Sequence, residues 1–259
     1  MHSPERGILC AGCPHRAAYL ALKEATRRRR GHVICGNVGC TATGEMYPAA
    51  ATCPGGMEKL LPRYRQEVPA DGAPEAPARP VCVHLASDVE IATDDAPERF
   101  GNLAGEGEVT ILAALASSKR FLAREAIEQL GARMLELGAD TVAVLDPFDA
   151  ARCAEELAGL LDTPGVHGVI FASPCTQLQR AHPLDPVEVD PYMCVGCHRC
   201  FQITACPALS FAPPVYTVDP ERCAGCDLCC NYCRTRVIYT PRARMSPAER
   251  AGARRAACR

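Results

Sequence analysis

Tryptophan is absent from the chain, and aromatic residues make up only 5% of its 259 residues. Proteins that bind single-stranded nucleic acids commonly stack the bases on aromatic side chains, so this scarcity of aromatic residues weighs against such a function. A strong excess of positive charge is missing as well, because the formal net charge is -2 at pH 7. Without an overall excess of positive charge there is no general attraction to nucleic acids or to anionic membranes. We therefore expect neither as a partner.

Long hydrophobic runs are also missing. No apolar stretch is long enough to cross a bilayer as a helix, and the first residues, MHSPERGILC, lack the apolar centre of a secretory leader. We therefore expect a cytoplasmic protein without membrane insertion. Cysteine, by contrast, is abundant, with 18 residues. Because a reducing compartment disfavours disulfides, metal binding explains these cysteines better.

The first 184 residues alternate short apolar runs with helical patterns. The runs are HVIC (32–35), VCVHLA (81–86), VTILAAL (109–115), TVAVL (141–145) and GVIFA (168–172). Runs rich in β-branched residues are typical of strands that are covered on both faces. Two amphipathic helical patterns separate the last three runs. One begins near Lys119, with Ser118 as a candidate cap, and the other begins after Asp149. The order predicts an α/β domain with a parallel sheet, and the proline-rich stretch 66–80 is expected to be a surface loop.

The spacing of cysteines changes beyond residue 184. The segment VDPYMCVGCHRC is echoed 29 residues later by VDPERCAGCDLC, and a further cysteine follows each segment. Thiolates separated by two residues, with a last cysteine farther along, are typical of [4Fe–4S] clusters. A pair of zinc sites with four cysteines each is the alternative. The eight candidate ligands are Cys194, Cys197, Cys200, Cys206, Cys223, Cys226, Cys229 and Cys233.

Residues 185–240 resemble the two-cluster bacterial ferredoxins, which are small α+β domains. In that family the fourth cysteine of each run binds the other cluster. The resemblance implies that Cys233 completes the first run and Cys206 the second. The first run departs from the family by having five residues before its last cysteine, and the second has Arg234 where proline is usual. Neither departure removes a ligand, and the extra Cys230 is expected to be a spare buried thiol.

A third group of cysteines lies near the amino terminus. Cys10 and Cys13 form a CxxC pair directly before a helix that Pro14 can begin, and Cys40 lies in the glycine-rich segment GNVGC. Three thiolates in such an arrangement suit zinc nearly as well as an iron–sulfur cluster. The residues alone leave that choice open.

Five segments carry a wider resemblance. They are CAGCPHRAAYLALK, GNVGCTATGEMYP, ATCPGG, LGADTVAVLDPFD and FASPC. In this order they resemble the carboxyl-terminal part of the catalytic subunit of indolepyruvate:ferredoxin oxidoreductases and of related thiamine-diphosphate-dependent 2-oxoacid:ferredoxin oxidoreductases. The resemblance implies that residues 1–184 form a thiamine-diphosphate-binding-like domain. It also implies a proximal [4Fe–4S] cluster bound by Cys10, Cys13, Cys40 and Cys175.

The position of Cys175 agrees with this assignment, because ligands of parallel α/β sheets gather beyond the carboxyl ends of the strands. Cys35 and Cys53 are alternatives for one of the four ligands. His15 and Arg16 match the motif of the family, and we expect them either beside the cluster or in capping and surface positions.

The residues with which the family binds thiamine diphosphate are missing. The family holds the Mg²⁺ of this cofactor with a Gly-Asp at the end of one strand and an Asn at the end of the next. Here the corresponding strands end HLASDVE and LAALASSK, so Ser117 stands near the place of the Asn and Asp88 is the nearest acid. We therefore expect neither thiamine diphosphate nor Mg²⁺ to be bound.

These features predict an electron-transfer subunit of a ferredoxin-linked oxidoreductase complex, with three [4Fe–4S] clusters and no catalytic residue of its own. Its partners would be other subunits of the complex, a soluble ferredoxin, or both. One alternative is a working 2-oxoacid oxidoreductase subunit whose partner completes the thiamine site. Another is a non-catalytic iron–sulfur sensor or scaffold. The last segment, 241–259, is expected to be a basic flexible tail.

Overall fold

The computed structural model describes residues 10–27, 32–35, 81–101, 103, 108–241 and 245–258. Within 32–35 the side chain of Ile34 is the one described. The loop predicted at 66–80 lies outside these ranges, as do Cys40, Cys53 and the side chain of Cys35.

The first part of the chain is organised around a five-stranded parallel sheet with the strand order β1-β2-β3-β5-β4. The strands β2 and β3 are buried along almost their whole length, which explains why their sequences are apolar at most positions instead of alternating. The predicted α/β class with a parallel sheet is confirmed. The five strands are β1 (His32–Cys35), β2 (Val81–Ser87), β3 (Val109–Ala116), β4 (Thr141–Leu145) and β5 (Gly165–Ala172).

Helices pack on both faces of this sheet. Tyr19 and Leu157 belong to the core on one face, and Phe100 and Met134 belong to the core on the other. The helices are α1 (Pro14–Thr26), α2 (Asp88–Ala92), α3 (Ala96–Phe100), α4 (Arg124–Glu136) and α5 (Ala150–Leu161). Thus α1 and α5 cover one face, and α2, α3 and α4 cover the other. Within the described ranges, no helix is both long and apolar enough to cross a membrane.

The residues that begin or cap the helices are those predicted from the sequence, with one exception. Pro14 begins α1, and the Asp149 side chain accepts a hydrogen bond from the Arg152 N–H at 3.2 Å, as expected for the cap of α5. Ser118 does not cap α4. A 3-10 turn (Lys119–Leu122) intervenes, and the Ser118 side chain makes no capping hydrogen bond to it. The prediction for Ser118 was wrong because α4 begins only at Arg124, with Ala123 at its N-cap position.

Residues 185–241 contain two small antiparallel sheets and two short helices. The strand β6 pairs with β9, and β7 pairs with β8. These elements are β6 (Glu188–Val189), α6 (Arg199–Thr204), β7 (Leu209–Ala212), β8 (Val215–Val218), α7 (Leu228–Tyr232) and β9 (Ile238–Tyr239). This part is therefore a small unit with both helices and strands, and its assignment as a ferredoxin-like domain stays a prediction.

The internal repeat of the sequence has the same local structure twice. Asp190 Oδ1 accepts hydrogen bonds from the N–H groups two and three residues along the chain, and Asp219 Oδ1 does the same. His198 and Asp227 stand at equivalent positions before α6 and α7, and both have left-handed backbones with φ of 61° and 65°. Each copy therefore turns its run of cysteines through the same path.

The carboxyl-terminal segment differs from the flexible tail that we expected. Residues Pro247–Ala256 form helix α8, which begins with a capping box between Ser246 and Glu249 and buries Ala251 and Arg254. The nearby Cys258, which we took for part of the tail, is 9% exposed. Two arginines of this helix, Arg250 and Arg254, form ion pairs with Asp227 and Asp146, which a charge count along the sequence cannot reveal.

Candidate metal centres

The first candidate centre is a cavity lined by cysteines from both repeats. Its empty space, including solvent at the open mouth, measures about 300 Å³. Its cysteines are Cys194, Cys197, Cys200 and Cys233. We call it the outer centre. Val195 and Arg234 also line it, and both side chains are exposed.

The second candidate centre is a cavity whose empty space, again including solvent at its mouth, measures about 340 Å³. Its cysteines are Cys206, Cys223, Cys226 and Cys229. We call it the inner centre, because Ala11, Gly12 and Arg16 of the amino-terminal segment line it too. Each centre thus takes three cysteines from one run and the last cysteine of the other.

The electrostatics of the thiols follow the same grouping. Burial raises the pKa of Cys200 to about 11, and the charges of Cys233, Cys197 and Cys194 act in the same direction. Burial likewise raises the pKa of Cys226 to about 12, and Cys206 and Cys223 add to this effect. A bound metal offsets this penalty because its positive charge stabilises the thiolates that coordinate it.

Cys233 differs from the other thiols in its hydrogen bonds. Burial acts to raise its pKa, but N–H groups of Val237, Ile238 and Thr235 outweigh burial and lower it. The Val237 N–H lies 3.3 Å from the Cys233 sulfur. Donors of this kind stabilise a thiolate and therefore a thiolate ligand.

The donor set of both cavities fits an iron–sulfur cluster. Soft thiolates suit iron–sulfur clusters or zinc, and four cysteines match the four irons of a [4Fe–4S] cluster. Among the described side chains, no three of the His, Cys, Asp and Glu groups are placed to hold a single metal ion. Cys230 is half-buried beside Cys229 and lines neither centre.

The third candidate centre lies where the amino-terminal CxxC pair meets the end of β5. Burial raises the pKa of Cys13 to about 12, and the charge of Cys175 contributes in the same direction. A Cβ added to Gly12, which precedes Cys13, would lie 3.0 Å from the side chain of Thr176, which follows Cys175. Gln177 Nε2 donates a hydrogen bond to the Cys10 sulfur at 3.2 Å. The structure therefore brings Cys10, Cys13 and Cys175 to one region, the proximal centre. The predicted fourth ligand, Cys40, lies outside the described ranges.

The residues that stand near the places of the Mg²⁺ ligands have partners within the chain. Ser117 Oγ lies 2.8 Å from His15 Nε2, and burial lowers the pKa of this histidine to about 4. Burial raises the pKa of Asp88, although the N–H groups of α2 and the Ser118 hydroxyl oppose the effect. The contact between His15 and Ser117 was not predicted, because it joins residues 102 positions apart.

The proximal and inner centres are packed directly against each other. Gly12 has a positive φ of 69°, and a Cβ added to it would lie 2.4 Å from the Ala224 Cβ. Gly12 belongs to the first CxxC loop and Ala224 to the loop between Cys223 and Cys226. The two cysteine loops therefore touch through their smallest residues, which permits a close approach.

This contact predicts a large effect of Gly12→Ala. The added methyl group would meet Ala224 and Thr176 in a backbone conformation that alanine disfavours, so we expect a loss of about 2–4 kcal/mol in the free energy of unfolding. Urea unfolding of the metal-free protein measures it. Gly138→Ala is the control, since Gly138 also has a positive φ, of 95°, but has nothing within 4 Å of an added Cβ. An equal loss in both variants would refute the packing of the two loops.

Comparison with known proteins identifies two similar sequences. Indolepyruvate oxidoreductase subunit IorA of Pyrococcus abyssi is 25% identical over 81% of this chain. The subunit of the same name from Pyrococcus horikoshii is 24% identical over 81% of it. The chain spans 36% of the length of each relative. No protein-family model and no solved structure matches the chain.

Proposed function

We propose that this chain is an iron–sulfur electron-transfer subunit of an oxidoreductase complex related to indolepyruvate oxidoreductase. The observation that carries the proposal is the pair of cavities, each lined by four cysteines, three from one run and one from the other. The exchange of the last cysteine is what two-cluster ferredoxins do. The names of the two relatives support an oxidoreductase complex as the setting.

The arrangement of the centres supports a relay of three [4Fe–4S] clusters. Bound clusters would supply one-electron transfer, while the chain holds their thiolate ligands and sets their spacing. The contact of Gly12 with Ala224 makes the inner centre the neighbour of the proximal one. The exposed side chains of Val195 and Arg234 at the outer centre make it the point of exchange with a soluble ferredoxin or another subunit. The proposed order is therefore proximal, inner, outer.

The contacts near the former Mg²⁺ positions support a subunit without thiamine diphosphate. Ser117 Oγ lies 2.8 Å from His15 Nε2, and N–H groups at the start of α2 oppose the rise that burial causes in the pKa of Asp88. Magnesium needs several hard oxygen ligands in near-octahedral geometry. We therefore propose that 2-oxoacid chemistry, if the complex performs it, takes place on another subunit.

The test is a metal analysis of the full chain after anaerobic purification. We expect roughly twelve irons per chain, for three clusters of four, and oxidation of the dithionite-reduced chain by a low-potential ferredoxin. Zinc in place of iron would overturn the proposal. An iron content of roughly eight per chain that stays unchanged in Cys175→Ala would mean that the chain binds no proximal cluster.

The same preparation separates the two rival functions. Thiamine-diphosphate-dependent oxidation of indolepyruvate by the chain and its co-purifying partner, abolished by changing Ser117 or Asp88, would make the chain part of a working thiamine site. Clusters that assemble but exchange no electrons with any ferredoxin would indicate a sensor or scaffold. Either result would contradict a relay without thiamine diphosphate.

A further inference from the structure

Arg16 is a buried cation at the contact between the two parts of the chain. Its side chain is 1% exposed. Nη1 donates hydrogen bonds to the Thr204 carbonyl and, at 2.8 Å, to the Ala205 carbonyl, while Nη2 donates to the Cys10 carbonyl at 3.2 Å. One guanidinium therefore ties the end of α6 to the amino-terminal cysteine loop. The two tied segments are more than 180 residues apart in sequence.

The same side chain faces thiols of two centres. Arg16 lines the cavity of the inner centre. Burial raises the pKa of Cys206, and the Arg16 charge opposes this. Burial also raises the pKa of Cys13, which the Arg16 backbone N–H and its charge again oppose. The positive charge thus acts on a candidate ligand of the proximal centre and on one of the inner centre.

We propose that Arg16 is a positioning residue shared by the proximal and inner clusters, which fixes their separation and raises both reduction potentials together. The inference rests on the proposed function. A cluster gains one negative charge on reduction, so a buried cation nearby stabilises its reduced form.

The shared charge has a consequence for electron flow. One electron leaves the donor cluster and the same electron reduces the acceptor, with no proton taken up or released by Arg16. Because the charge stabilises both reduced states, it alters the difference between the two potentials less than either potential. Arg16 therefore favours the reduction of both clusters while it leaves the driving force between them nearly unchanged.

The experiment compares charge removal at Arg16 with charge removal at Arg234, an exposed arginine that lines the outer centre. Arg16→Met, Arg16→Lys and Arg234→Met are titrated anaerobically, and each cluster is followed by electron paramagnetic resonance. In Arg16→Met we expect the proximal and inner clusters to be harder to reduce. At a given applied potential the ratio of reduced to oxidised cluster should fall at least tenfold for both, which corresponds to a decrease of about 59 mV in each one-electron reduction potential. The outer cluster should be unchanged. Arg234→Met should affect the outer cluster alone, and less, because water screens its charge.

Arg16→Lys separates charge from position. Lysine preserves the charge without the planar fork that binds three carbonyls, so both potentials should stay near those of the unaltered protein while electron transfer between the two clusters slows. If Arg16→Met loses iron, Arg16→Gln replaces it. Unchanged potentials of the proximal and inner clusters in Arg16→Met or Arg16→Gln would overturn the inference. Equal shifts of all three clusters in either variant would overturn it as well. Absence of iron from the unaltered chain would instead overturn the proposed function.

Discussion

Cys233→Ala should remove roughly four of the roughly twelve irons that we expect per chain. The physical reason is that Cys233 belongs to the second run of cysteines but lines the cavity of the first three. The cluster that is lost should therefore be the one that depends on Cys194, Cys197 and Cys200. The measurement is iron content together with the electron paramagnetic resonance spectrum, which should match that of Cys200→Ala and differ from that of Cys226→Ala.

Cys230→Ala is the matched control for this prediction. Cys230 lies three residues before Cys233 and contacts Cys229, yet it lines neither centre. Its replacement should leave the iron content unchanged. If Cys233→Ala instead gave the spectrum of Cys226→Ala, each run would bind its own cluster and the exchange of ligands would be wrong.

The second large effect is expected from Arg254→Met in helix α8. Arg254 Nη2 lies 2.5 Å from Asp146 Oδ2, and its guanidinium lies 4.5 Å from the centre of the Phe148 ring. The arginine side chain is 5% exposed and that of Asp146 is 18% exposed. Removal of one partner leaves a mostly buried charge uncompensated, which costs about 3–5 kcal/mol in the free energy of unfolding. Urea unfolding of the metal-free chain measures this loss.

Two further variants control for the loss of an arginine and for the ion pair itself. Arg255 is exposed on the same helix, so Arg255→Met should change stability by less than about 0.5 kcal/mol. Asp146→Asn combined with Arg254→Met should cost less than the sum of the single changes, because the two side chains act as one unit. Equal effects of Arg254→Met and Arg255→Met would mean that the ion pair does not hold α8 in place.

Helix α8 connects the two parts of the molecule. Arg254 pairs with Asp146, which directly follows β4 of the large sheet, and Arg250 pairs with Asp227, which directly follows Cys226. With Arg16 and the contact of Gly12 with Ala224, these pairs bind the cysteine-rich unit to the sheet. A relay of electrons requires centres at fixed distances, and these contacts provide a rigid connection.

Much of the fold and part of the candidate site follow from local sequence features. Runs such as GVIFA at 168–172 form strands that are covered on both faces, and such a segment is apolar at almost every position. The runs of cysteines are equally local, since their spacing places three thiols around one turn of backbone. The repeat of VDP and the cysteines likewise reappears as repeated turns around Asp190 and Asp219.

Contacts between distant segments needed the folded chain. Burial patterns and spacing describe which residues lie inside, but they do not specify which distant group an arginine will meet. Arg16 reaches Thr204 and Ala205, and Arg254 reaches Asp146 across 108 positions. For the same reason the sequence predicted a flexible basic tail, although two of its arginines, Arg250 and Arg254, are paired with acids in the folded chain. Ion pairs depend on how the segments come together in space, whereas strands and cysteine turns depend on neighbours in the chain.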